Sequence, residues 1–180
     1  MTLLKLAIVG LSFACVRDAV SQSANQVQKK RPATSAIVRA EHDTVKAGAP
    51  IFLNATLTNQ SDHELTFGYD RNRGIFEVDV FDDAGKFAPD KRKGYRNGRL
   101  DLEQLARTST PEQVIKSGLL TGNAVWVTLK PGRALVETID VSKYYEMTRP
   151  GGYKVLIQRP DPETKEMVKS NQIELTVTKP

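Results

Sequence analysis

Apolar and polar side chains alternate one by one through most of this chain, and that period confines it to sheets. Ile51, Leu53, Ala55 and Leu57 alternate with Phe52, Asn54, Thr56 and Thr58. Only an extended backbone puts the first set on one face and the second on the other. Leu65 and Phe67 resume the pattern, and Phe76, Val78 and Val80 alternate with Glu77 and Asp79. A second group follows: Val125 to Leu129, Leu135 to Val141, then Tyr153, Val155 and Ile157, and finally Ile173, Leu175 and Val177. With the stretch Ile37 to His42, this predicts seven to nine strands.

Turn chemistry separates these runs. Asn59-Gln60-Ser61-Asp62 can bond to its own backbone, Gly85 after Asp82-Asp83-Ala84 supplies a positive φ, and Pro131-Gly132, Pro150-Gly151-Gly152 and Asp161-Pro162-Glu163-Thr164 mark further reversals. Short strands at such spacing, with no long helices between them, predict an all-β, antiparallel two-sheet sandwich of the immunoglobulin-like kind over residues 37–180. Tyr153, directly after Pro-Gly-Gly and near the start of a late strand, sits where such sandwiches place a tyrosine that bonds back to the preceding connection. Trp126, inside an apolar strand, is expected in the core or covering a sheet rather than stacking on a ligand.

The stretch 90–122 departs from the pattern. Leu102, Leu105 and Ala106 have helical spacing, and Thr110-Pro111-Glu112-Gln113 resembles a capping box that Gly118 could end. A short helical insertion is expected there.

Leu6 to Val16 (LAIVGLSFACV) is an unbroken apolar run, too short to span a bilayer but suited to a secretory signal. Small residues at Ala19, Ser21 and Ser23 suit cleavage, so residues 1–21 are expected to be a signal peptide and the chain to be exported, periplasmic or secreted, with no transmembrane segment after cleavage. Lipid attachment through Cys15 fits less well, because Ser12 and Phe13 stand where a lipobox wants Leu and a small residue. Residues 22–36, polar and carrying Lys29-Lys30-Arg31-Pro32, read as a flexible linker.

Leu57 to Asp62, Phe76 to Val80 before Asp83-Ala84-Gly85-Lys86, Leu129-Lys130-Pro131-Gly132 and Pro150 to Val155 together resemble exported bacterial immunoglobulin-like domains. In their order they are distantly similar to the BsuPI-type proteinase inhibitor family. The resemblance implies a fold, and it brings no inhibitory residue with it.

Catalytic and metal chemistry find little footing. The chain has one Cys and two His, and neither histidine sits at a metal-ligand spacing, so both are expected on the surface. Asp70-Arg71-Asn72-Arg73-Gly74 begins like a calcium loop, but its Gly comes early and Phe81 stands where the bidentate Glu belongs. No nucleophile elbow or phosphate loop is present. The chain is therefore expected to be no enzyme and to need no metal or cofactor.

The most suggestive constellation is basic. Lys86, Lys91, Arg92, Lys93, Arg96 and Arg99 surround Tyr95, and Arg71 and Arg73 follow Tyr69. If these two loops share one end of the sandwich, Tyr69, Arg71, Arg73, Arg92, Lys93, Tyr95 and Arg96 form a positive binding rim. The net charge of +5 is too small for a dedicated nucleic-acid binder. The expected partner is a protein or an anionic polymer of the cell envelope. The expected function is non-catalytic binding, with proteinase inhibition and edge-strand pairing as alternatives.

Overall fold

The computed structural model describes residues 30–71, 74–92, 95–101, 103, 107, 110 and 124–180. The expected signal peptide, Cys15, most of the linker and nearly all of the expected helical insertion lie outside these residues.

Twelve strands are present among the described residues: β1 (Thr34–Ala40), β2 (Thr44–Lys46), β3 (Phe52–Asn59), β4 (Leu65–Asp70), β5 (Glu77–Asp82), β6 (Tyr95–Arg96), β7 (Arg99–Leu100), β8 (Ala124–Leu129), β9 (Ala134–Asp140), β10 (Gly151–Pro160), β11 (Met167–Lys169) and β12 (Ile173–Thr178). Every run read from the alternation is a strand. The four beyond them, β2, β6, β7 and β11, have two or three residues each, too few to show a period. β1 begins at Thr34, inside the stretch expected as linker, because Ala33, Thr34 and Ala36 are buried.

One sheet is β1–β3–β9, antiparallel throughout. The other is built on β10, which pairs with β5 along one side and with β12 and then β11 along the other, while β2 adds to β12 in parallel. Leu53, Ala55 and Leu57 of β3 meet Val155, Ile157, Leu175 and Val177 in one buried core. Each of these Val, Leu and Ile side chains contributes about 1.5–3 kcal/mol by leaving water. A separate ribbon, β4–β8, leaves the first sheet, sending Leu65 and Phe67 inward and Thr66 and Trp126 outward. Tyr153 donates its hydroxyl to the Arg149 carbonyl at 3.0 Å, the corner expected of it.

Asn59 ends β3 and joins two turns. Its Oδ1 accepts from Ser61 N at 2.9 Å and Ser61 Oγ at 2.7 Å, and its Nδ2 donates to the carbonyls of His63 at 2.8 Å and Leu129 at 2.9 Å. The side chain is fully buried, so Asn59→Ala strands several backbone groups. A loss of about 3 kcal/mol in denaturant unfolding is the expected result; a loss below about 1 kcal/mol would mean that water replaces the amide.

Candidate functional site

Asn97 and Gly98, at φ 52° and 75°, join β6 to β7. Two successive positive φ values make the tight turn whose twist matches a hairpin. Gly98 N donates to the Asp90 carboxylate at 3.1 and 3.2 Å, which fixes the hairpin to the chain that enters it. Tyr95 is thereby held against Arg92, whose guanidinium carbon lies 3.7 Å from the Tyr95 ring centroid and 4.4 Å from that of Tyr144. Arg92 Nη2 donates to the Gly98 carbonyl at 3.2 Å, while its buried Nε has no hydrogen-bond partner. Arg99, across the hairpin, pairs with Glu77 and Asp79, each at 3.3 Å.

A second arginine is placed by β10. Tyr153, Val155 and Ile157 point inward, and Arg159 continues their register. It is 6% exposed, and its guanidinium carbon lies 4.1 Å from the Phe67 centroid. Nε donates to the Pro160 carbonyl at 3.3 Å, and Nη1 has no partner. Burial lowers its basicity, against the opposing pull of the Asp161 and Glu137 carboxylates. Glu137 has the inward register of β9. Burial pushes its carboxyl up, opposed by the hydrogen bond from Ile75 N at 3.0 Å and by Arg159.

Arg92, Arg159, Glu137, Tyr69, Tyr95 and Trp126 all line one groove of about 790 Å³. That volume falls in the range of small-ligand sites, about 300–1,000 Å³. Among the described residues, three buried side-chain atoms have no hydrogen-bond partner: Asp79 Oδ1, Arg92 Nε and Arg159 Nη1. Asp79 Oδ1 faces Arg99 Nη2 in an ion pair, so the two uncommitted atoms are both guanidinium donors, on two residues that line this groove.

The structure gathers part of the expected rim. Tyr69, Arg92 and Tyr95 share the groove, whereas Arg71 is exposed at the end of β4 and does not line it. Arg96 lines a second hollow of about 550 Å³ with Phe87, Asp90 and Asp101. Arg73 and Lys93 lie outside the described residues. Sequence reasoning missed Arg159 and Glu137, although each is a charged residue on the apolar parity of its strand, a signal visible in the alternation itself.

Trp126 takes the second of its two expected places, covering a sheet rather than joining the core, and it is 72% exposed. It pairs across the ribbon with Gly68, and a Cβ built there would stand 3.5 Å from each of Cε3, Cζ3 and Cη2. Three equidistant atoms mean that the indole lies flat on the glycine backbone and turns its other face to solvent. His63, expected on the surface, is half-exposed. Its imidazole contacts Asp62 and Glu163, which raise its pKa, and Glu163 also takes Lys30 at 2.6 Å.

Among the described residues no cluster of three or more His, Cys, Asp or Glu could hold a metal ion, and no helix is long and apolar enough to cross a membrane. No family model matches the chain, so the BsuPI-type relationship gains no support, and no curated protein matches it. Among solved structures, a CARDB domain of a Pyrococcus furiosus protein, determined in complex with di-metal ions, is similar at 12% identity and TM-score 0.42, over 82% of this chain and 89% of that one. A β-glucosidase from Erythrobacter marinus matches at 10% identity and TM-score 0.42, and a mutant β-glucosidase from Listeria innocua with laminaribiose at 11% and 0.38. This chain spans 16% of each glucosidase.

Proposed function

We propose that this protein is an exported, non-catalytic binding module of the cell envelope or extracellular space, and that it holds its ligand in the groove between β9, the β4–β8 ribbon and the β6–β7 hairpin. One observation carries the reading: Arg92 and Arg159, each set against an aromatic ring, line the same groove, and each keeps one buried guanidinium nitrogen without a hydrogen-bond partner. Leaving such donors unmade costs about 1–3 kcal/mol each, a cost removed when either side chain shifts to meet a ligand oxygen. Export is supported by the apolar run Leu6–Val16.

Retention of a partner from envelope extract tests this, with the protein immobilised at low and at high salt. Retention should fall at high salt and weaken about tenfold in Arg92→Gln. Equal retention by the wild type and the variant discards the groove.

Pairing through an edge strand is the second reading. Among the described residues β9 pairs only with β3, and it carries the exposed Val136. Salt-resistant retention that Arg92→Gln leaves intact favours it, and loss of activity in added secreted proteases would turn the reading toward inhibition.

A further inference from the structure

We propose that a second copy of this chain pairs with β9 through its own β9, antiparallel, with Leu135 on the twofold axis. The proposal rests on the edge-strand reading and names the partner. Backbone parity identifies the open groups. Asn59 N donates to the Arg133 carbonyl at 3.0 Å and Val141 N to the Ile51 carbonyl at 2.9 Å, at the two ends of the β3–β9 register. Odd-numbered residues of β9 therefore bond to β3, and the N–H and C=O groups of Ala134, Val136 and Thr138 point away from it. Among the described residues no strand pairs with that side. The other long edges of the two sheets are capped. On β1, Thr34 N donates to Asp161, and Asn171 takes both the N–H and the carbonyl of Val38 at 3.0 Å. On β5, Ala88 N donates to the Val80 carbonyl and Asp82 N to that of Lys86. β9 has no such cap, no proline or lysine, and no bulge in its register. Ala134 and Val136 are exposed and stand outside the groove, which β9 lines only from Glu137 to Asp140.

Charge selects the partner. Glu137 lies on the inward side of this edge and disfavours any strand that sets an acidic side chain opposite it. Its Oε2 accepts from Ile75 N at 3.0 Å, and its Oε1 has no hydrogen-bond partner among the described residues. Arg133 is exposed where the strand begins and makes no ion pair among the described residues. These two charges stand symmetrically about Leu135. A twofold axis there sets each Arg133 opposite Glu137 of the other copy, on the same side of the sheet. In this register Ala134 and Val136 exchange both backbone hydrogen bonds with Val136 and Ala134 of the other copy, and Leu135 meets its own counterpart. An axis through Val136 would face Glu137 with Leu135, and one through Glu137 would oppose two carboxylates. So short an interface predicts weak association, with a Kd of about 10–100 µM.

Sedimentation equilibrium of the full chain, at concentrations below and above that value, tests the pairing. The chain should pass from monomer to dimer. Val136→Pro removes an N–H that β3 does not use, so it should keep its Tm and stay monomeric; if that variant does not fold, Arg133→Glu carries the test. Arg133→Glu should weaken the dimer about tenfold or more by opposing like charges. In a Cys15→Ser background, Leu135→Cys should form an intermolecular disulfide faster than Val136→Cys, because only position 135 faces itself. A monomer at every concentration, a dimer indifferent to Val136→Pro or Arg133→Glu, or faster crosslinking through position 136 overturns the proposal. If the chain stays monomeric while Val136→Pro abolishes salt-resistant retention from extract, the second copy is the wrong partner and the edge stands. If that retention is also indifferent to Val136→Pro, the edge-strand reading itself falls.

Discussion

Replacing Asp161 by Ala is expected to lower the unfolding free energy by about 3–5 kcal/mol, a fall in Tm of about 10 °C for a chain of this size. The carboxylate is fully buried where β10 turns toward β11. It accepts from Thr34 N at 2.9 Å and Thr34 Oγ1 at 2.8 Å, from Glu163 N at 3.1 Å, and from Thr164 N at 2.9 Å and Thr164 Oγ1 at 3.2 Å. Removing it leaves those donors without acceptors and releases the start of β1 from the second sheet. Burial pushes this carboxyl up, but the hydrogen bonds from Thr164, Thr34 and Glu163 outweigh burial and hold its pKa below the ordinary value. A depressed pKa stabilises the fold above the unfolded-state pKa of about 3.9, and that stability is lost as pH falls through the lower folded value. Urea unfolding measured from neutral pH down through this range should therefore show the wild type losing its advantage over Asp161→Ala. A gap between the two that stays constant down to the lowest pH would show that the charge on Asp161 is not what holds the turn.

The second large effect is expected at Gly98. Its φ of 75° already costs a side-chain-bearing residue about 1–3 kcal/mol. A Cβ would also overlap Tyr145 Oη and stand 2.7 Å from the Val78 carbonyl oxygen. Tyr145 is fully buried and donates to that same carbonyl at 2.5 Å, and burial together with Asp90 and Asp79 raises its phenol well above the ordinary range. Gly98→Ala must therefore break this bond or move the hairpin, at about 3–5 kcal/mol in total. Because Gly98 also accepts from Arg92, ligand retention should fall along with stability. Tyr145→Phe alone should cost about 1–2 kcal/mol. Combined with Gly98→Ala, it removes the overlapping oxygen, so the double variant should lose less than the two singles together. Additive losses would show that backbone strain alone accounts for the glycine.

The two sites differ in how they could be read from sequence. Asp161 belongs to an Asp-Pro-Glu-Thr turn that is evident from composition, but its bonds to Thr34 span 127 positions and no local pattern encodes them. Asn97-Gly98 is a strong local hairpin signal. It is masked by the basic residues around it, which suggest a solvated loop. For Trp126 the sequence left two places open, the core or the surface of a sheet. The choice between them depends on Gly68 lying opposite on the paired strand, where the missing side chain leaves a flat seat for the ring.

Alternation and turn chemistry determined the strands, their inward faces and the sandwich, because the two-residue period and the demands of tight turns are written within a few neighbouring positions. The groove was decided only in three dimensions. Arg92, Trp126, Glu137 and Arg159 come from separate parts of the chain, and the burial that acts on the Glu137 and Arg159 charges exists only once the two sheets and the ribbon have closed around them.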